Sequence, residues 1–196
     1  MTIAHRSPLN DIRKFALAAG CLGLAGCIVN ATRLYAGGTP AHGSSRAIAI
    51  VGLTVDRASR LQDFRVVLDQ YDIARQAITG GCWTYNRIEA AVPGAAAPIR
   101  FFAFELPAGH YIYSAFNRMH EVSGVRFDGI DQAFQLPAGH TVYIGNFVLD
   151  GDRVALRREL DQDRAALTQA LPKLAPAVEA AAVVTALPAK PFMCAP

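Results

Sequence analysis

The chain reads FELPAGHYIY at residues 104–113 and FQLPAGHTVY at residues 134–143. Aligned from Ala103 and Ala133, eight of eleven positions are identical, in the pattern A-F-x-L-P-A-G-H-x-x-Y. Pro-Ala-Gly has turn chemistry: Pro presets φ at about −65°, and Gly accepts a left-handed backbone at little steric cost. A type I turn followed by a left-handed residue is a common three-residue hairpin loop. Pro also has no donor to offer inside a central strand. Each copy therefore reads strand–turn–strand, with Pro107 and Gly109 defining the first turn and Pro137 and Gly139 the second. In such a loop Leu106 faces His110 and Leu136 faces His140. Phe104 and Ile112, then Phe134 and Val142, continue those two faces.

Working outward, short β-rich runs recur on both sides of this pair. They are RAIAIVGLTV (46–55), FRVVLDQY (64–71), CWTYNRIEA (82–90), IRFFAFEL (99–106), HYIYSAF (110–116), GVRFD (124–128), QAFQL (132–136), HTVYIGNFVL (140–149) and RVALRREL (153–160). AVPGAAAP (91–98) reads as a loop, and Asp150-Gly151 is a strong hairpin-turn signal. Such spacing with Gly/Pro punctuation predicts a mainly β fold, an antiparallel β-sandwich of about seven to nine strands over residues 46–160. After it, DQDRAALTQALPKL (161–174) sets Ala165, Ala166, Leu167, Ala170 and Leu171 at helical spacing. Asp161 is its candidate N-cap and Pro172 its stop. PAVEAAAVVTALPAK (176–190) reads as a second short helix on the sandwich edge, where it would cover open strand backbone. Residues 161–196 are thus expected to form a helical segment and tail.

A length of 196 residues suits one well-buried domain. With 52% hydrophobic and 18% charged residues, the chain does not have a disordered composition. Its net charge of +3 comes without a Lys/Arg stripe interleaved with aromatics, which argues against a nucleic-acid partner.

The amino terminus has a different texture. Residues 1–14 carry Arg6, Arg13 and Lys14 against Asp11, and the uncharged FALAAGCLGLAG follows at 15–26. A basic region before a short apolar one is the layout of a signal peptide. As a helix, twelve such residues would span about 18 Å, against a hydrocarbon core of about 30 Å. Residues 28–45 are rich in Gly, Ser, Thr, Pro and Ala without a sustained period. They read as a flexible tether with a reach of roughly 20–25 Å.

Leu24-Ala25-Gly26-Cys27 resembles the lipobox of bacterial lipoproteins, with Leu at −3, small residues at −2 and −1, and then Cys. The competing Ala18-Ala19-Gly20-Cys21 lacks Leu at −3 and would leave a six-residue apolar run. The resemblance implies a signal peptide over 1–26, diacylglycerol and a further acyl chain on Cys27, and a tether over 27–45. It also implies a lipid-anchored place in the cell envelope. Ile28 rather than Asp after Cys27 implies, in a Gram-negative envelope, release to the outer membrane facing the periplasm. Removing 1–26 takes Lys+Arg from 19 to 16 and Asp+Glu from 16 to 15, so the mature net charge is +1. The wider pattern, F-x-LPAGHYIY followed by F-x-LPAGHTVYIGNFVL, is similar to envelope lipoproteins with carboxypeptidase-regulatory or prealbumin-like β-sandwiches. That resemblance covers residues 100–160 and implies a fold rather than an activity.

Little else points to chemistry. Cys82 and Cys194 remain after processing, and an exported pair favours a disulfide, worth about 4–5 kcal/mol in the chain-entropy model. The spacings of the four cysteines match no zinc pattern. His110 and His140, with His120, form a candidate metal or ligand set. The opposing reading has each His covering the core edge and bonding a loop carbonyl, because ligands must converge within about 2 Å of one ion. Trp83, Tyr85, Tyr111, Tyr113 and Tyr143 are read either as a sugar or peptide platform or as packed sheet residues. No G-x-S-x-G, H-E-x-x-H or phosphate-binding loop is present, and Ser114 and Ser123 lack motif context. The sequence reading is a non-catalytic binding or structural module for an envelope protein or cell-wall polymer, without a cofactor. The alternative is a metal-dependent or hydrolytic periplasmic enzyme using His110, His120 and His140.

Overall fold

A computed structural model describes residues 29–38, 44–80, 84–114, 125–128 and 131–187. Its strands in chain order are β1 (Val29–Asn30), β2 (Arg33–Leu34), β3 (Arg46–Arg57), β4 (Asp63–Asp72), β5 (Ala77–Ile78), β6 (Thr84–Tyr85), β7 (Arg87–Pro93) and β8 (Ala97–Pro107). They continue with β9 (Gly109–Tyr113), β10 (Arg126–Phe127), β11 (Gln132–Leu136), β12 (Thr141–Asp150), β13 (Arg153–Arg157), β14 (Val178–Ala180) and β15 (Ala182–Thr185). One α-helix, α1 (Leu160–Ala170), lies among the described residues. The first sheet runs β10-β13-β12-β3-β8-β2, with β14 also beside β12; the second runs β15-β11-β9-β4-β5, with β7 also beside β4.

The two sheets meet through the period-two alternation of their strands. Ala47, Ala49, Val51, Leu53 and Val55 of β3 face Phe64, Val66 and Leu68 of β4, Ile88, Ala90 and Val92 of β7, and Tyr111 of β9 in one buried core. Along β12 the inward set changes phase, from Val142 and Ile144 to Phe147 and Leu149. A register irregularity between Tyr143 and Gly145 absorbs the extra residue, as a β-bulge does. The sandwich is mixed rather than purely antiparallel: β3 is antiparallel to β8 and parallel to β12. The Asp150-Gly151 hairpin does form, pairing Asp150 with Arg153.

The LPAGH copies are not hairpins. β8 pairs with β3 and β2 in the first sheet, whereas β9 pairs with β4 and β11 in the second. Residues 107–109 therefore carry the chain from one sheet to the other. The second copy does the reverse, from β11 in the second sheet to β12 in the first. Leu106 lies opposite Ala47 and Leu136 opposite Gly109, so neither Leu faces the His of its own motif. Pro-Ala-Gly turns the chain in either geometry; what decides is where the flanking strands find partners. The corners adjoin in the second sheet and straddle β3 in the first. There they clasp its start, through Ala108 N–H to Ser45 O at 3.0 Å, Gly139 N–H to Arg46 O at 2.7 Å and Ile48 N–H to His140 O at 2.9 Å. The two glycines differ: Gly139 has φ 79° in a turn closed by His140 N–H to Pro137 O at 3.3 Å, and Gly109 has φ 149° within extended chain.

Outside the first sheet, Ile48, Ile50, Ala103 and Tyr143 bury against Leu160, Leu167, Leu174 and Val178. This explains the unbroken apolar run of β3, which is covered on both faces. The helix starts one residue before Asp161. Glu159 is its cap without a side-chain bond, and Asp161 and Asp163 occupy the first turn, where acids complement the helix dipole. The second helix expected over 176–190 is instead a short 3-10 turn, Ala175–Ala177, followed by β14 and β15. Here helix propensity, worth tenths of a kcal/mol per residue, yields to unpaired strand edges. β14 adds to β12 and β15 to β11, with Ala181 N–H donating to Tyr143 O at 2.9 Å between them. The tether expected over 27–45 is also partly structured: β1 pairs with β6 and β2 with β8. The two ends of the described chain thus close opposite sides of the sandwich.

Candidate functional site

The amino-terminal seam is held by more than its two short strand pairings. The Asn30 side chain reproduces a strand pairing, donating through Nδ2 to Arg87 O at 3.0 Å and accepting from Arg87 N–H at 3.0 Å. Ala31 N–H donates to Tyr85 O at 3.1 Å, and Tyr35 N–H to Ala103 O at 2.9 Å. Between these points Glu105 receives two guanidinium groups. Arg33 Nη2 lies 2.7 Å from Oε1, and Arg46 Nε lies 2.8 Å from the same oxygen. Arg46 also donates to Ala31 O at 2.8 Å, joining the start of β3 to the seam. The hydrogen bond from Arg33 holds the Glu105 carboxyl below the usual carboxylate range, against the opposing effect of partial burial.

A second polar group sits where an apolar run carries an acid. Asp69 stands directly across from Arg87 in the β4/β7 register. Its Oδ1 accepts from Arg87 Nε at 2.6 Å and its Oδ2 from Arg87 Nη2 at 3.2 Å. The Ser114 hydroxyl donates to Oδ2. The Asp69 side chain is 4% exposed and that of Arg87 24%, with the guanidinium 5.2 Å from the Tyr85 ring centroid. In the sequence Ser114 lies in no catalytic motif, and Asp69 stands in no spaced pattern. The available signal was the lone acid within FRVVLDQY, since a charge in a buried strand needs a partner.

The first LPAGH corner carries its own polar lock. Gln70 donates to Ala108 O at 3.1 Å, and its Oε1 accepts from Thr79 Oγ1 at 2.8 Å and from the Asn86 amide. Tyr111, fully buried, donates to Pro107 O at 2.9 Å, and burial pushes its phenol well above the ordinary range. Tyr143 is also buried and raised, by desolvation first and then by its bond to Asp163 at 2.5 Å. With Tyr113 also buried, these three tyrosines are packed residues and form no exposed platform.

His110, half-buried, lies between Tyr71 and Gln135 in register, next to Tyr111, whose ring points into the core. His140 is exposed, and its Nδ1 lies 2.7 Å from a carboxylate oxygen of Glu179 on β14, rather than on a loop carbonyl. His120, Ser123, Cys21, Cys27, Cys82 and Cys194 fall outside the described residues, as does Trp83 of the proposed platform. Among the described residues no three His, Cys, Asp or Glu side chains gather as a metal-holding group, and no helix is long and apolar enough to cross a membrane. A cavity lined by Tyr113, Phe127, Phe134, Phe147, Val154 and Leu156 measures about 10 Å³, room for about one water. Comparison with protein-family models, with curated proteins and with solved structures finds no match to this chain.

Proposed function

We propose that this chain is a lipid-anchored envelope protein whose β-sandwich is a non-catalytic binding or structural module for a partner protein or a cell-wall polymer. Its place is the outer membrane, facing the periplasm, with Cys27 acylated. The observation that carries the reading is the LAGC sequence at 24–27, at the end of a basic-then-apolar segment and two residues before Val29, the first of the described residues and already paired with Thr84. The polar chemistry of the fold supports the non-catalytic part. Asp69 is engaged by Arg87 and Ser114, and Glu105 by Arg33 and Arg46, in contacts that join strands. Mass spectrometry of the protein purified from its own envelope tests the anchor, with crosslinking and pulldown to identify the partner. The expected mature terminus is an acylated Cys27; an unmodified Cys27 within an uncleaved chain overturns the reading.

A further inference from the structure

We infer that the amino-terminal seam is the membrane-facing side of the domain, with Val29 and Leu34 seated against the bilayer interface. The inference rests on the lipoprotein reading and adds an orientation to it. Two residue steps separate Cys27 from Val29, a span of at most about 7 Å. Val29 is already paired with Thr84, and Asn30 with Tyr85 and, through its side chain, with Arg87. An acylated Cys27 at headgroup level therefore holds this side of the sandwich at the surface. The eighteen-residue tether suggested by composition would have let the domain stand roughly 20–25 Å away and turn freely. The seam shortens that leash to almost nothing.

The seam's own side chains fit the location. Among the described residues the exposed large apolar side chains are Val29, Leu34, Ile73, Val184 and Leu187, and the two on this arm are 52% and 65% exposed. Arg33, beside Leu34 on this edge strand, keeps 68% of its side chain exposed while bonded to Glu105, a cation available to lipid phosphates at the flank of the arm. The far edge of the second sheet, β15, lies four strand spacings from β7, about 19 Å at the usual spacing. That edge is left facing away from the lipid.

The test uses the full acylated protein in vesicles of phosphatidylethanolamine and phosphatidylglycerol, with and without bromine on the upper acyl chains. In a Trp83→Phe background, Leu34→Trp reports the seam and Val184→Trp the far edge. About a twofold or greater loss of Leu34→Trp emission in brominated vesicles is expected, with Val184→Trp emission unchanged, because interfacial side chains sit about 5–10 Å into the boundary. A second measurement needs no substitution at the seam: oxidative footprinting of the wild-type protein should show Leu34 shielded on vesicles relative to unacylated Cys27→Ser protein, and Val184 equally exposed in both. Vesicle flotation and the Cys27 mass separate the two readings. Acylated, floating protein with Leu34 unquenched and unshielded overturns the orientation and leaves the lipoprotein standing. Protein that neither carries acyl mass nor floats overturns both.

Discussion

The two LPAGH copies offer a comparison in which the sequence is constant and only the surroundings change. Gly109→Ala and Gly139→Ala are the same substitution in the same pentapeptide. At Gly139, φ is 79° and a new Cβ meets nothing within 4 Å. The cost is that of a left-handed alanine, about 1–2 kcal/mol. At Gly109, φ is 149° and the new Cβ would stand 2.8 Å from Gln70 Nε2. That backbone region is almost confined to glycine and costs about 1–3 kcal/mol. Displacing Gln70 also removes its bond to Ala108 O, a further loss of about 0.5–1.5 kcal/mol. Both variants reduce the entropy of the unfolded chain equally, so this contribution cancels from the difference. At the midpoints of these ranges Gly109→Ala should thus be less stable than Gly139→Ala by about 1.5 kcal/mol, or roughly 3–6 °C in melting temperature for a chain of this size. Urea unfolding of the chain from Ile28 onward, followed by circular dichroism and Trp83 emission with a common m-value, measures it. Equal midpoints, or Gly139→Ala the less stable, would refute the assignment of the two corners.

Two further outcomes follow from the polar clusters. Asp69→Ala should cost about 2–4 kcal/mol, less than the loss of a wholly buried partner because Arg87 keeps some solvent. The Asp69→Leu/Arg87→Met pair should recover more than half of that loss in urea melts; a double variant as unstable as the two single losses combined contradicts the pairing argument. The Glu105 carboxyl is held below its unfolded value by Arg33. Its contribution is therefore present above the ordinary carboxylate value of about 4.3 and is lost as pH falls through the lower folded value. Exchange protection of the Ala31 and Tyr35 amides, corrected for intrinsic rates, should fall in that acid window and lose its pH dependence in Glu105→Gln. Protection that is flat with pH in the wild type argues against this contribution.

The strands were readable where period and punctuation agreed. QAFQL at 132–136 matches β11 residue for residue, and the Asp-Gly turn forms where its dipeptide stands. Strand partners were not readable, because Pro-Ala-Gly supplies the same local bend to a hairpin and to a corner between sheets. Nor was the end of the chain: the alanines at 180–182 favour a helix in isolation, but the free edges of β12 and β11 select strands. The Asp69 cluster was hidden for a related reason, since Arg87 and Ser114 lie 18 and 45 residues away and become neighbours only through strand pairing. Conversely, the repeated histidines share a motif but not an environment: one lies in the second sheet and the other pairs with Glu179.

The seams at the two ends of the described chain have a mechanical meaning. In the amino-terminal seam, load entering at Val29 meets two short pairings and the Asn30 and Glu105 contacts before it reaches β3 or β4. These contacts lie outside the β12-β3-β8 and β11-β9-β4 pairings that close the central sheets. With Cys27 anchored as proposed, a pull from a moving bilayer would be taken up first by this stitch, and the arm would act as a strain relief between anchor and body.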